Sequence, residues 1–234
     1  MSNAVAFPRE WFNSVTNFVK ANYLIGNNPT IKISEVLVDG KYQFTDKQSN
    51  FSKLIVDNYN TSAFREWMSS LTGYVDLSKM RILTGSWPQL WGSYGLNNNV
   101  KGLLNLDIDG GIEGCINGNA NLEIVTIKNV KYAVSNALKG PKIKTIKIGS
   151  TSYIQYGILS PVCPELTTFE IGSIYPNNYS MANCPKWEYG SIMKFINNLP
   201  TITTTYTLTL GSTNLAKLTD EDKKIATDKG WTLA

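Results

Sequence analysis

The spacing of apolar residues predicts an α/β, β-rich fold: short parallel strands stacked in one sheet as a repeat array, with a helical N-terminal cap and a helix-containing C-terminal cap. Three observations carry this reading. Residues 121–173 contain one phrase three times, as NLEIVTIKN, PKIKTIKIGS and CPELTTFEIGS. Each copy has apolar side chains at positions one, four and six: Leu122, Val125 and Ile127; Ile143, Ile146 and Ile148; Leu166, Phe169 and Ile171. The last two of each trio lie two residues apart, so they share one side of a strand while the residue between them points outward. One such strand cannot bury its apolar side alone, whereas stacked copies share a continuous core.

In chain order, Trp11, Phe12, Val15, Phe18, Val19 and Tyr23 follow one face of a helix over 9–23, with Pro8 at an early position. A helix there would cover an otherwise open end of the array. Less regular copies follow at Ile33, Val36 and Val38; Phe51, Leu54 and Val56; Leu77, Met80 and Ile82; and Leu103, Leu106 and Ile108. Between them, TSAFREWMSSL predicts a short helix over 61–71. The first positions 33, 51, 77, 103, 122, 143 and 166 are 18, 26, 26, 19, 21 and 23 residues apart. These spacings and the Leu-x-x-Leu-x-Leu form predict a leucine-rich-repeat solenoid, whose repeats run about 20–29 residues.

After a degenerate copy beginning at Trp187, SIMKFINNL has helical spacing over 191–199, and Pro200 stops it. TYTLTL then alternates as a strand over 205–210, with Leu208 and Leu210 inward. Thr219 and Asp222 form an N-cap pair for a last helix, and Gly230 suits its C-terminal end. Gly211-Ser212 repeats the steps Gly149-Ser150 and Gly172-Ser173 and reads as the same turn. One continuous domain results: 1–30 as an N-terminal helical cap or docking segment, 31–186 as the leucine-rich-repeat solenoid, and 187–234 as a C-terminal repeat and cap.

Composition narrows the function classes. With 42% hydrophobic and 17% charged residues the chain can bury a core, and its net charge of +4 is modest. Lys128, Lys131, Lys139, Lys142, Lys144 and Lys147 are the densest basic group, read as a solvated face and not as a nucleic-acid site. No apolar run reaches the length of a membrane span, so no membrane insertion is expected. The first residues lack a basic leader and an apolar h-region, so the chain is expected to be cytoplasmic at synthesis or to have lost a leader. Three cysteines are too few for a disulfide scaffold. Cys163 and Cys184 lie one copy apart, which permits either a disulfide or a reduced, buried ladder. The sequence contains no histidine, so the commonest general base and metal ligand is missing, and neither metal nor cofactor is expected.

The copies LTTFEIGS and IKTIKIGS resemble leucine-rich repeats of the bacterial surface-protein type, found in secreted adhesins and bacteriophage structural proteins. The ending TYTLTLGSTNLAKLTDEDKKIATDKGWTLA is similar to the C-terminal ending of repeat proteins of phages and prophages of gut bacteria. The resemblance covers roughly residue 77 to the end and matches 1–60 poorly. It implies a virion location (fibre, tail or head decoration), or a bacterial cell-surface or secreted one, and a non-enzymatic attachment role. The implied partners are other virion or surface proteins and a host-surface glycan or protein. It carries no catalytic motif, so no residue role transfers.

Trp87, Trp91 and Tyr94 in the SWPQLWGSY loop are the leading binding candidates, since such rings stack on sugar faces and dominate interfaces. Packing of the same rings over the array edge is the competing reading. Tyr153, Tyr156, Tyr175 and Tyr179 fall in successive inter-strand loops as a second aromatic ridge. Outward positions form a column of Arg81, Asp107, Thr126, Lys147, Glu170 and Thr209, mixed in charge. Asp107 and Asp109 share the outward side of one strand, roughly 7 Å apart at strand rise, which admits a glycan-cleaving alternative. A purely structural virion subunit is the other alternative. No heptad or collagen-like segment supplies a trimerisation element, and homo-oligomerisation stays open.

Overall fold

The computed structural model describes residues 18–21, 30–32, 37–38, 41–45, 53–56, 71–78, 80–83, 98–109, 111–112, 119–133, 138–149, 151–154 and 161–234. The first strands are β1 (Phe18–Ala21), β2 (Thr30–Lys32), β3 (Leu37–Val38), β4 (Lys41–Thr45) and β5 (Lys53–Val56). Then come β6 (Gly73–Asp76), β7 (Met80–Leu83), β8 (Val100–Asp109), β9 (Gly111–Ile112) and β10 (Ile124–Ala133). They are followed by β11 (Thr145–Ile148), β12 (Thr151–Ile154), β13 (Thr168–Ile171) and β14 (Tyr179–Ser180). The chain ends with helix α1 (Tyr189–Asn198), β15 (Thr207–Thr209), helices α2 (Ser212–Leu215) and α3 (Asp220–Asp228), and β16 (Thr232–Leu233).

The fold is α/β, dominated by parallel strands. Strands β6, β8, β10, β11 and β13 form a parallel ladder in which Val75, Leu103, Val125, Ile146 and Phe169 lie side by side. All five side chains are fully buried, as are Val100, Leu122, Ile143 and Leu166, each three residues before Leu103, Val125, Ile146 and Phe169, and Trp187 just ahead of helix α1. Burial of such side chains contributes about 1.5–3 kcal/mol each before entropy is set against it. One contiguous core runs from Leu71 to Trp231.

The ladder corrects the expected register at two places. Leu103 lies opposite Val125, and Leu106 opposite Ile127, so the copy here begins at Val100 and not at Leu103. A β-bulge is the cause. Asn105 adopts a left-handed φ of 61°, which inserts one extra residue between the two inward side chains. Its N–H donates to Thr126 Oγ1 (2.7 Å) and its Nδ2 to Asp76 Oδ1 (3.0 Å), which holds the bulge in place. The half of β8 beyond the bulge pairs with β7, which pairs with β5 and then β2. In that second ladder Leu54, Met80 and Ile82 keep the expected register, but Ile31, not Val36, lies opposite Leu54.

The strands also do not all join one sheet. Besides the large sheet there are a three-stranded β1-β4-β3 group, with β3 antiparallel to β4, and a parallel β14-β15-β16 group. Thr209 therefore stands beside Ser180, not in the column of Lys147 and Glu170. At the N-terminus, Phe18–Ala21 is a strand paired with Tyr42 to Thr45, where helical spacing predicts a helix. Cross-strand backbone bonds thus override the 3.6-residue pattern of aromatic and β-branched residues, which suit strands intrinsically. The expected helix over 61–71 lies outside the described residues except for Leu71, which is buried.

The far side of each copy is closed by buried polar turns. Leu122, Ile143, Leu166, Trp187 and Lys217 each donate their N–H to the residue three before: Asn119, Gly140, Cys163, Cys184 and Asn214. Asn119 does so with its carboxamide, whose Oδ1 also accepts from Asn121 while Nδ2 donates to the carbonyl of Val100 in the preceding copy. Cys163 and Cys184 are free thiols here, buried and directed at the carbonyls of Leu138 and Pro161. Of the two readings of the pair, the reduced ladder is the one present.

Helix α1 ends the large sheet where a sixth strand would continue it. Ser191 Oγ accepts from Phe169 N–H (2.9 Å), donates to Phe169 C=O (3.0 Å) and accepts from Trp187 Nε1–H (2.7 Å). The edge of β13 is thereby satisfied at Phe169 without another strand. Phe195 lies within 5.4–5.8 Å, centroid to centroid, of Phe169, Tyr179 and Trp187. Lys229 donates to the carbonyls of Ile196 and Asn197 at the helix C-terminus. The expected capping box of α3 is present between Thr219 and Asp222, and Gly230 follows with φ 90°. Gly211 differs from the Gly149 and Gly172 turns, since its φ of 74° starts α2.

Candidate binding site

The outward side of the five-strand ladder is a row of aligned side chains. Tyr74, Gly102, Ile124, Thr145 and Thr168 form one line, and Thr126, Lys147 and Glu170 form the next. Tyr74 is 54% exposed, and its ring lies over Gly102, where a Cβ would meet it. Glu123 and Lys144 flank the first line as an ion pair (3.6 Å).

Where this row meets α1 there is a groove of about 420 Å³, inside the usual range of about 300–1,000 Å³ for small-ligand sites. Its polar wall is Lys147, Glu170, Lys194, Asn197 and Asn198, and the buried Ile148, Ile171 and Phe195 lie behind it. Lys147 Nζ lies 3.2 Å from Glu170 Oε2, and Lys194 Nζ lies 3.0 Å from Glu170 Oε1. Hydrogen bonds from Lys194 and then Lys147 hold the Glu170 carboxyl below its ordinary value, so it stays ionised into mild acid. Two ammonium groups thus share one carboxylate. The groove carries a surplus positive charge, with donors on both lysines and an acceptor between them.

Two glycines make the room. Gly149 and Gly172 end β11 and β13 with their backbones in direct contact, and a Cβ on Gly172 would collide with the carbonyl oxygen of Gly149. The Gly that follows Ile148 and Ile171 is therefore demanded by close stacking, and it leaves the wall beside it without side chains.

Of the sequence candidates, Trp87, Trp91, Tyr94 and Tyr156 lie outside the described residues. Tyr153 is in β12, opposite Tyr132 of β10. Tyr175 is 40% exposed, and its carbonyl accepts from the Tyr179 hydroxyl (2.6 Å). Tyr179 is wholly buried against Phe195 and Trp231, so it belongs to the core and not to an exposed ridge. Burial raises its hydroxyl pKa strongly. The acid pair is also differently placed. Asp107 is only 5% exposed and within 3.4 Å of Asn129 Nδ2, while Asp109 binds Arg81 (3.1 Å). The bulge at Asn105 turns this part of β8 away from the outward row, which removes Asp107 from the Thr126 column.

The groove itself went unread in the sequence. Lys147 and Glu170 stand in the outward column, but Lys194 lies on a helix, so strand periodicity passes over it. Its position 24 residues after Glu170, one copy on, was the available clue. The lysine group is dispersed: Lys142 donates to Asn121, Lys144 faces Glu123 and Lys147 faces Glu170. Among the described residues no group of three or more His, Cys, Asp or Glu is placed to hold a metal. No described helix is long and apolar enough to cross a membrane. No family model matches the chain, and no curated protein and no solved structure matches it either.

Proposed function

We propose that the chain is a non-enzymatic binding and attachment protein, built as a leucine-rich-repeat solenoid that presents its outward sheet row and adjoining groove to a ligand. The observation that carries this reading is the polar groove where the aligned row meets α1, which combines a surplus positive charge with hydrogen-bonding groups of both kinds. The solenoid is supported by buried first positions at Val100, Leu122, Ile143, Leu166 and Trp187, spaced 22, 21, 23 and 21 residues apart. Its location in a bacteriophage particle, or on a bacterial surface, rests on the resemblance of LTTFEIGS and of the C-terminal ending. The glycan-cleaving alternative loses support from the engagement of Asp107 and Asp109 with Asn129 and Arg81.

The test is binding of the purified chain to a glycan array and to whole bacterial cells, with released reducing sugar measured on the same samples. Retention without sugar release is the expected result. Sugar release would overturn the non-enzymatic reading, and absence of binding together with stoichiometric incorporation into particles would favour a structural subunit.

A further inference from the structure

We infer that the groove between the C-terminal ends of β11 and β13 and the helix α1 is a subsite for an acidic sugar residue, one bearing a single carboxylate among hydroxyls. This deepens the attachment reading and rests on it.

The charge arithmetic selects the anion. Lys147 and Lys194 each direct one contact to a different oxygen of Glu170, which leaves each ammonium with further donors and the trio with a net charge of +1. A neutral ligand would leave that surplus unmatched. A polyanion would meet the Glu170 carboxylate. One carboxylate placed against the two ammonium groups brings the site to neutrality and makes charge-assisted hydrogen bonds.

The remaining groups select hydroxyls around it. The Glu170 oxygens accept O–H donors, and the side-chain amides of Asn197 and Asn198 make no hydrogen bond to any described residue, so each offers both a donor and an acceptor to the groove. Because Lys147, Glu170 and Lys194 come from three successive copies, the site forms only in the folded stack.

The test is a titration of the full chain with D-glucuronate, D-glucose and acetate, followed by backbone amide shifts. Glucuronate is expected to give saturable shifts at Gly149, Gly172 and Phe195, weakened by salt, whereas glucose and acetate bind at least about tenfold more weakly because each lacks half of the recognised groups. Lys194→Gln and Asn198→Ala, both at exposed positions, are each expected to weaken glucuronate about tenfold with an unchanged thermal midpoint. Equal shifts from acetate alone would overturn the sugar assignment in favour of a bare anion site. Retention on an acidic polysaccharide that both variants leave intact would overturn the groove while leaving attachment standing. Failure of the chain to bind any carbohydrate or cell would overturn both.

Discussion

Ser191 offers the sharpest test of how the parallel sheet is terminated. Its hydroxyl is saturated, with two accepted bonds and one donated, and all three partners are buried: the N–H and C=O of Phe169 and the indole N–H of Trp187. Ser191→Ala removes a single oxygen but strands three buried polar groups. At about 1–3 kcal/mol for each buried group left unsatisfied, the expected loss is at least about 3 kcal/mol, a large share of the roughly 5–15 kcal/mol of a whole domain. Urea unfolding followed by tryptophan fluorescence would read it as a lowered midpoint at unchanged slope. Trp187→Phe removes one of the stranded donors in advance. In that background Ser191→Ala should cost about 1 kcal/mol or more less than in the parent chain. A loss under about 1 kcal/mol, or strict additivity of the two substitutions, would refute the claim that this hydroxyl closes the β13 edge.

Three further outcomes follow from buried groups and backbone geometry. Burial pushes the Cys163 thiol up to about 12, with Cys184 adding to it, and pushes Cys184 up to about 11. Because the folded values lie above the unfolded ones, their contribution to stability is complete below about pH 8.5. It is lost as pH rises toward the folded values, by up to about 1.4 kcal/mol per pH unit per thiol. Cys163→Ala should flatten the alkaline fall in urea stability between those limits, and an unchanged slope would show that other groups cause it. Neither thiol should react with a disulfide reagent until the chain unfolds. Asn105 holds its left-handed φ without a glycine, so Asn105→Gly should leave stability within about 1 kcal/mol, whereas Asn105→Val should cost about 1–2 kcal/mol or more in thermal unfolding.

The strand-forming part of the fold was legible wherever the phrase was intact. Copies at Leu122, Ile143 and Leu166 stack as their spacing requires, because the inward side chains of each must meet those of the next. The two mistaken registers fall where the spacings were shortest, 18 and 19 residues. Starting the copy at Val100 changes the latter to 22, and pairing Ile31 with Leu54 gives 23 in place of the former. Uniformity of spacing was thus a better guide than the apolar match at Leu103, which cannot reveal a bulge since Asn105 looks like any outward polar residue. The strand at Phe18–Ala21 was illegible for another reason: its partner β4 lies some twenty residues on, and local periodicity holds no information about pairing.

The candidate site was legible only in part because its chemistry is split between two kinds of element. Lys147 and Glu170 occupy strand positions that the period of two assigns to the outside, and their adjacency follows from the stack. Lys194, Asn197 and Asn198 become neighbours of that pair only because α1 replaces the sixth strand, and what fixes α1 there is Ser191 on the backbone of Phe169. The same hydroxyl that seals the sheet edge therefore sets the distance between Lys194 and Glu170. On the proposed reading, stability and binding are coupled at this end of the molecule. A ligand that needs both lysines would bind the capped array more tightly than one whose α1 has come loose, and would stabilise it accordingly.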